Sequence, residues 1–165
     1  MATIKSDQQK ITPCLWFNEN AEEAVKFYTS VFKNSKKGAV SHYGEGAPMP
    51  KGTVLTIKFQ IERQEFLALN GGPHFKFTEA VSFIVNCKTQ KEIDYYWEEL
   101  SKGGTKVECG WLKDKFGLSW QVAPTIMSEL MSDKNAEKSS RVMQAILKMK
   151  KLDIETLKKA YAGPK

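Results

Sequence analysis

The side chains able to do chemistry are few and scattered. His42 and His74 are the only histidines, and Cys14, Cys87 and Cys109 stand far apart with no CxxC pair. That pattern reads as free thiols in a reducing cytoplasm rather than a disulfide framework or a zinc site. No Ser-His-Asp set, phosphate loop or HExxH occurs. Cys14 has no His or Lys beside it and reads as a small buried hydrophobe rather than a nucleophile. Glu62 and Glu65 flank a hairpin turn and read as solvated. His74 follows Gly-Gly-Pro, either a ligand contact at the mouth of a cavity or an exposed loop histidine. The densest stretch is Cys109 to Pro124, with Trp111, Phe116, Trp120 and Gln121 in sixteen residues. Asp114 and Gly117 bracket a tight turn there, because Gly tolerates positive φ and Asp bonds its own backbone. The following strand puts Trp120 and Gln121 on opposite faces, so that if Gln121 faces a cavity, Trp120 is core.

The elements that must position these residues follow from periodicity. Ile11 to Phe17 is a buried strand with Pro13 at a place needing no ladder donor. Asn20-Ala-Glu-Glu23 predicts a capped helix start, and Ala24, Phe27, Tyr28 and Val31 share one helical face, with Asn34 ending the helix in the left-handed region. Lys36–Tyr43 is a second strand. Thr53–Gln60 and Gln64–Asn70 make a hairpin turning near Glu62-Arg63. Val81 to Cys87 is again a strand, Thr89-Gln-Lys-Glu92 a second capping box, and Ile93, Tyr96, Trp97 and Leu100 a second helical face that stops at Gly103-Gly104. Thr105–Trp111 and Leu118–Ala123 form a last hairpin.

The two boxes and the two aromatic pairs recur at an offset of 69 residues, the signature of internal duplication. After Pro124 the character becomes helical: a short helix at Ile126 to Met131, a longer one with Val142, Ala145, Ile146 and Met149 on one face, and a last one from Asp153 to Gly163. The chain therefore reads as one compact domain: a tail over 1–10, a first βαβββ module over 11–79, a second over 80–124 and a helical extension over 125–165. The formal net charge is +6, and from Thr125 onward nine Lys/Arg face five acids, so most of the excess lies in that extension. Interspersed acids and absent stacking aromatics favour a solvated face over a nucleic-acid footprint. At 41% hydrophobic and 27% charged, with no long apolar run or leader-like segment, a membrane protein is not expected.

Several strings carry a resemblance: Ile11-Thr-Pro-Cys-Leu-Trp-Phe17, Ala21-Glu-Glu-Ala24, Asn70-Gly-Gly-Pro73, Tyr96-Trp97 and Cys109-Gly-Trp111. Asp114 to Gln121 and, in the extension, Arg141-Val-Met143, Met149-Lys-Lys151 and Ala160-Tyr-Ala-Gly163 add to it. The chain resembles the PhnB-like branch of the vicinal oxygen chelate superfamily, which includes glyoxalase I, extradiol dioxygenases and bleomycin-resistance proteins. The resemblance implies an α+β fold of two βαβββ modules forming a curved mixed sheet around a cavity, with C-terminal helices added. It implies four metal-ligand positions, near Pro13, Asn70, Ser82 and Gln121. Proline has no ligand atom, and Ser, Asn and Gln bind divalent transition metals poorly, so no metal or other cofactor is expected. This branch often carries the name 3-demethylubiquinone-9 3-methyltransferase, but the chain has no glycine-rich strand-to-helix turn of a Rossmann-type methyl-donor site.

The expected function is metal-free binding of a small molecule in an aromatic cavity. Trp16, Phe75, Trp111 and Phe116 supply aromatic surface, Asn70, Ser82 and Gln121 neutral hydrogen bonds, and His74 a contact at the mouth. The alternatives are a metal-dependent lyase, isomerase or dioxygenase of the same superfamily, and a dimeric scaffold using the Val142–Met149 stripe. A cytoplasmic homodimer is expected, with no nucleic-acid or membrane partner.

Overall fold

A computed structural model describes residues 9–164. The predicted tail over 1–10 thus lies almost wholly outside the described residues. The chain divides into two compact units, Met1–Lys76 and Phe77–Lys165.

The first unit runs β1 (Cys14–Phe17), α1 (Ala21–Val31), β2 (Ser35–His42), β3 (Val54–Ile61) and β4 (Gln64–Asn70). Its sheet has the order β1-β4-β3-β2, with β1 parallel to β4 and the other pairs antiparallel. Leu15, Phe17, Ile57, Phe59, Phe66 and Ala68 are buried against Ala21, Ala24, Val25, Tyr28 and Val31 of α1. Burying a Val, Leu or Phe side chain contributes about 1.5–3 kcal/mol, so this one face accounts for the sheet's hold on its helix. Glu62 and Arg63 join β3 to β4 with φ of 46° and 70°, the left-handed pair that a two-residue hairpin needs. Asn34 does not end α1. The helix stops at Val31 with Phe32 extended (φ −93°, ψ 120°), and the Ser35 hydroxyl binds the Thr29 and Phe32 carbonyls instead.

The second unit repeats the plan with β5 (Ser82–Cys87), α2 (Gln90–Ser101), β6 (Thr105–Lys106), β7 (Trp111–Lys113) and β8 (Ser119–Pro124), in the order β5-β8-β7-β6. Ile93, Trp97 and Leu100 bury α2 on Leu112, Trp120 and Val122. The strand expected over Thr105–Trp111 is broken. Cys109 (φ 60°) and Gly110 (φ 82°) turn the chain between β6 and β7. A Cβ on Gly110 would meet the Val122 carbonyl at 2.8 Å, so only glycine fits.

Three further helices follow: α3 (Met127–Met131), α4 (Ala136–Ile146) and α5 (Ile154–Ala162). Leu130, Val142, Ile146, Leu152 and Leu157 form their core, with Ala145, Met149, Cys109 and Ala123 packed against it. The stripe Val142, Ala145, Ile146 and Met149, which in sequence fits packing on the sheet or on a partner chain, is therefore spent inside its own unit. Arg141 ties the layer together, donating from Nε to Ala160 O and from Nη2 to Tyr161 O, each at 2.8 Å, at the end of α5. Among the described residues no helix is long and apolar enough to cross a membrane.

Candidate functional site

In both units one sheet face packs on a helix and the other is open, so strand parity decides which side chains a ligand can reach. On β1, Leu15 and Phe17 point to the helix, leaving Cys14 and Trp16 on the open face; on β5, Cys87 is buried and Ile84 is 54% exposed. The helix faces of the units repeat at 69 residues, Tyr28 with Trp97 and Val31 with Leu100, whereas the strand faces repeat at 70, Phe17 with Cys87. One extra residue between β1 and α1 causes the slip. Carried along the strands, Ser82 therefore corresponds to Thr12 rather than Pro13. Phe17 pairs with Asn70 and Cys87 with Pro124, so Gln121 corresponds to Leu67 rather than Asn70.

Asn70 faces the helix. It is 5% exposed, its Oδ1 accepts from Ala21 N at 2.9 Å and its Nδ2 donates to Val54 O at 3.0 Å. Both ends of its amide are committed to the core, which takes it out of reach of a ligand on the open face. Its backbone carbonyl accepts from the Tyr43 hydroxyl at 2.5 Å.

The loop after Asn70 builds an aromatic platform. Gly71 N and Gly72 N donate to Phe17 O and Asn18 O, and the half-buried Trp16 indole donates from Nε1 to Gly72 O at 2.9 Å. A Cβ on Gly71 would meet the Trp16 ring at 2.3 Å, so the double glycine lets the indole lie flat on backbone. Phe75 stands edge-on to Trp16, ring centroids 4.8 Å apart at 80°, and is 66% exposed. His74 beside it is exposed, as is His42 at the end of β2.

In the second unit Gln121 lies half-buried on the open face, between buried Trp120 and Val122. Its Nε2 donates to Ser82 Oγ at 2.9 Å, and Trp111 is its register partner on β7. Trp120 is core: its Nε1 donates to Asp114 Oδ2 at 2.9 Å. The 3% exposed Asp114 also accepts from Phe116 N and Leu118 N. This cage fixes the turn before β8 and leaves Phe116 half-buried with Lys115 Nζ 5.0 Å above its ring. The structure thus joins Trp16 with Phe75 and Ser82 with Gln121.

At the positions that the resemblance implies for metal ligands, carried along the strands, Thr12 and Leu67 of the first unit offer a hydroxyl and a hydrocarbon, and Ser82 and Gln121 of the second a hydroxyl and an amide, poor ligands for a divalent ion. Among the described residues no three His, Cys, Asp or Glu cluster to hold one. The cysteines are free. Cys14 is exposed rather than buried, although desolvation still pushes its thiol pKa up. Burial, with the Glu92 charge behind it, drives Cys87 up to about 12. Neither is poised as a thiolate nucleophile.

Sequence reasoning missed a cavity of about 230 Å³ on the open face of the first unit, lined in part by Thr12, Lys36, Lys58, Gln60, Glu65 and Leu67. The alternation of Lys58 and Gln60 with buried Ile57, Phe59 and Ile61 was its only visible trace.

A family model described as 3-demethylubiquinone-9 3-methyltransferase matches residues 9–123. The chain belongs to this family. The PhnB protein of Bacillus cereus, which carries the same description, is 38% identical, with a TM-score of 0.64 over 70% of this chain and 99% of its own. A Pseudomonas aeruginosa protein is 20% identical, with a TM-score of 0.58 over 71% of this chain and 98% of its own. The fosfomycin resistance protein FosX of Listeria monocytogenes, solved with Mn(II) and sulfate, shares the fold at 13% identity and a TM-score of 0.51, over 75% and 95%. No curated protein matches. The chain is thus PhnB-like, with an α+β fold of two four-stranded mixed sheets. The matched region stops at the end of β8, so α3 to α5 lie beyond it.

Proposed function

We propose that this PhnB-like protein is a metal-free binder of small molecules that uses the open faces of its sheets. The observation that carries the reading is the Ser82–Gln121 pair. Two neutral groups bond each other at 2.9 Å where superfamily enzymes place ligands for a cation, and a neutral amide and hydroxyl suit hydrogen bonding to an uncharged polar group. Trp16 and the exposed Phe75 supply the apolar surface for a planar ligand. His74 adds a polar contact at the edge of that platform, Trp111 pairs with Gln121 across β7 and β8, and Phe116 adds aromatic surface at the turn before β8. The methyltransferase description is a family name, and binding without turnover is the proposal for this chain. We read it as a cytoplasmic homodimer, a setting in which its three free thiols stay reduced.

The test is elemental analysis of protein purified without chelator, together with tryptophan fluorescence titrated with planar aromatic compounds. Sub-stoichiometric metal and saturable quenching that weakens in Trp16→Phe are expected. One tightly held divalent ion per chain, lost in Gln121→Ala, would overturn the reading in favour of a metal-dependent lyase, isomerase or dioxygenase.

A further inference from the structure

The cavity on the first unit shares no residue with the aromatic platform, and its origin lies in one irregularity. Strand β2 slips register against β3 between Lys37 and Val40, so Gly38 and Ala39 bulge where a regular ladder would have placed one residue. Bulges of this kind open space and re-aim neighbouring side chains. Here the two bulged residues are also the smallest the strand carries, and a Cβ on Gly38 would already sit 3.1 Å from Lys58 O. The floor of the cavity is Leu67, its walls are Lys36, Lys58 and Gln60, and Thr12 and Glu65 stand at the far side.

A second depression of about 390 Å³ opens beside it, lined by Lys33, Asn34, Ser35, Lys36, Gln60 and Arg63. The two share Lys36 and Gln60, so they form one trough, apolar-floored at one end and basic at the other. Lining it are four cationic side chains, Lys33, Lys36, Lys58 and Arg63, and the carboxylate of Glu65, while the Glu62 carboxylate accepts from the Asn34 amide at 3.1 Å at the basic end. Among the described residues none of the four cations is in an ion pair, although other Lys side chains, Lys51, Lys106 and Lys151 among them, are. Lys58 is even a diagonal cross-strand neighbour of Glu65 and stays unpaired. Glu65 lies two strands from Lys36 across Gln60, about 10 Å at the usual strand spacing, so it does not neutralise the basic end.

We propose that this trough is a site for a small amphipathic organic anion. Its acid group, carboxylate, sulfonate or phosphate, sits among Lys36, Lys33 and Arg63, and its apolar body lies over Leu67 along the stem of Lys58. Gln60, shared by both ends, donates to the acid or accepts from the body. Free cations converging on a concave floor attract an oxyanion, and charge-assisted hydrogen bonds hold it.

Paired fluorescent probes test this on the full chain: anilinonaphthalene sulfonate and its uncharged parent phenylnaphthylamine. The sulfonate is expected to bind about tenfold more tightly than the parent, the worth of one charge-assisted bond. It should perturb the amides of Gly38, Ala39 and Gln60 in heteronuclear NMR, and inorganic phosphate should compete for the acid end. Lys36→Ala with Arg63→Ala should erase the preference while leaving parent binding, and Ala39→Phe, which keeps every charge, should weaken both probes. These positions are exposed, so folding is retained, and a circular dichroism melt checks it. Equal affinity for the two probes, or an unchanged preference in the charge variants, overturns the proposal. Perturbed amides confined to Trp16 and the Gly71–Phe75 loop would also overturn it while leaving the platform of the proposed function standing. Displacement of the sulfonate by oligothymidylate with a steep salt dependence would mark the trough as a general polyanion surface instead.

Discussion

Helix α1 begins without a cap of its own: Asn20 makes no side-chain bond to it, and the first free N–H, that of Ala21, is taken by Asn70 from the end of β4. Helix α2 begins with a complete local box, Thr89 accepting from Glu92 N while Glu92 reaches back to Thr89 N. The sheet position that supplies Asn70 in the first unit holds Pro124 in the second, and proline has no side-chain acceptor to offer. The same two orphaned helix ends are thus satisfied by tertiary structure in one copy and by four consecutive residues in the other. The hairpin turns diverge in the opposite sense. The first unit turns on two exposed residues with positive φ, the second on a buried carboxylate holding three N–H groups. Each copy therefore buries one polar hub, and the hubs lie at opposite ends of its strands.

Variants that remove a hub separate the copies most sharply. Asp114→Ala strands three donors, two of them on the backbone, and should lower stability by about 4 kcal/mol in urea unfolding. A loss below about 1 kcal/mol would mean that water replaces the carboxylate. Asn70→Ala strands Ala21 N and Val54 O and should cost about 2–3 kcal/mol. Thr89→Ala removes one local cap and should cost about 1 kcal/mol. Asn20→Ala should cost less than about 0.5 kcal/mol; a loss equal to that of Thr89→Ala would show both helices capped alike.

The last and smallest effect concerns acid and the helical extension. Hydrogen bonds hold three carboxyls in or against it below the ordinary range: Asp94 of α2 from Lys151 and Gln90, Asp133 from the Tyr161 hydroxyl and Asn135 N, and Asp153 from Thr156. A folded-state pKa below the unfolded value contributes stability that is present above the unfolded pKa, about 3.9, and is lost as pH falls through the folded one. Amide exchange in α4 and α5 should therefore quicken below about pH 4, while β3 and β4 keep their protection. Uniform loosening of both units would remove the distinction.

The comparison also shows what the sequence could and could not reveal. Helical faces were legible because a 3.6-residue period tolerates an error of one: Ala24, Tyr28 and Val31, and their counterparts Ile93, Trp97 and Leu100, are all buried. Strand faces have a period of two, so the single extra residue before α1 inverted the reading. It put Pro13 in place of Thr12, whereas Asn70 became a ligand candidate through its place at the end of β4 and is a helix cap. Cys14 lies on the open face, a placement that the absence of a His or Lys beside it in sequence does not reveal. The alternation that sets Trp120 and Gln121 on opposite faces holds, with Trp120 in the core and Gln121 half-buried. The stripe from Val142 to Met149 left internal packing and an interface both open because its partners, Leu130, Leu152 and Leu157, come from three separate segments with no shared period. The bulge at Gly38-Ala39 left no pattern at all, and with it went the basic trough.

The turn at Cys109-Gly110 has a consequence for how the chain is made. Its two N–H groups donate to Met149 O and Lys150 O, each at 2.7 Å, and the Gly110 backbone leans on Leu152. During synthesis the first unit has all its strands and its cap once Asn70 has left the ribosome. The second cannot close the crossing between β6 and β7 until some forty residues later, when Met149 and Lys150 of the extension emerge to accept its two N–H groups. Domains form as units from the N-terminus at about 5–20 residues per second, so the half carrying Gln121 spends seconds with its central turn unsatisfied while its neighbour is already folded.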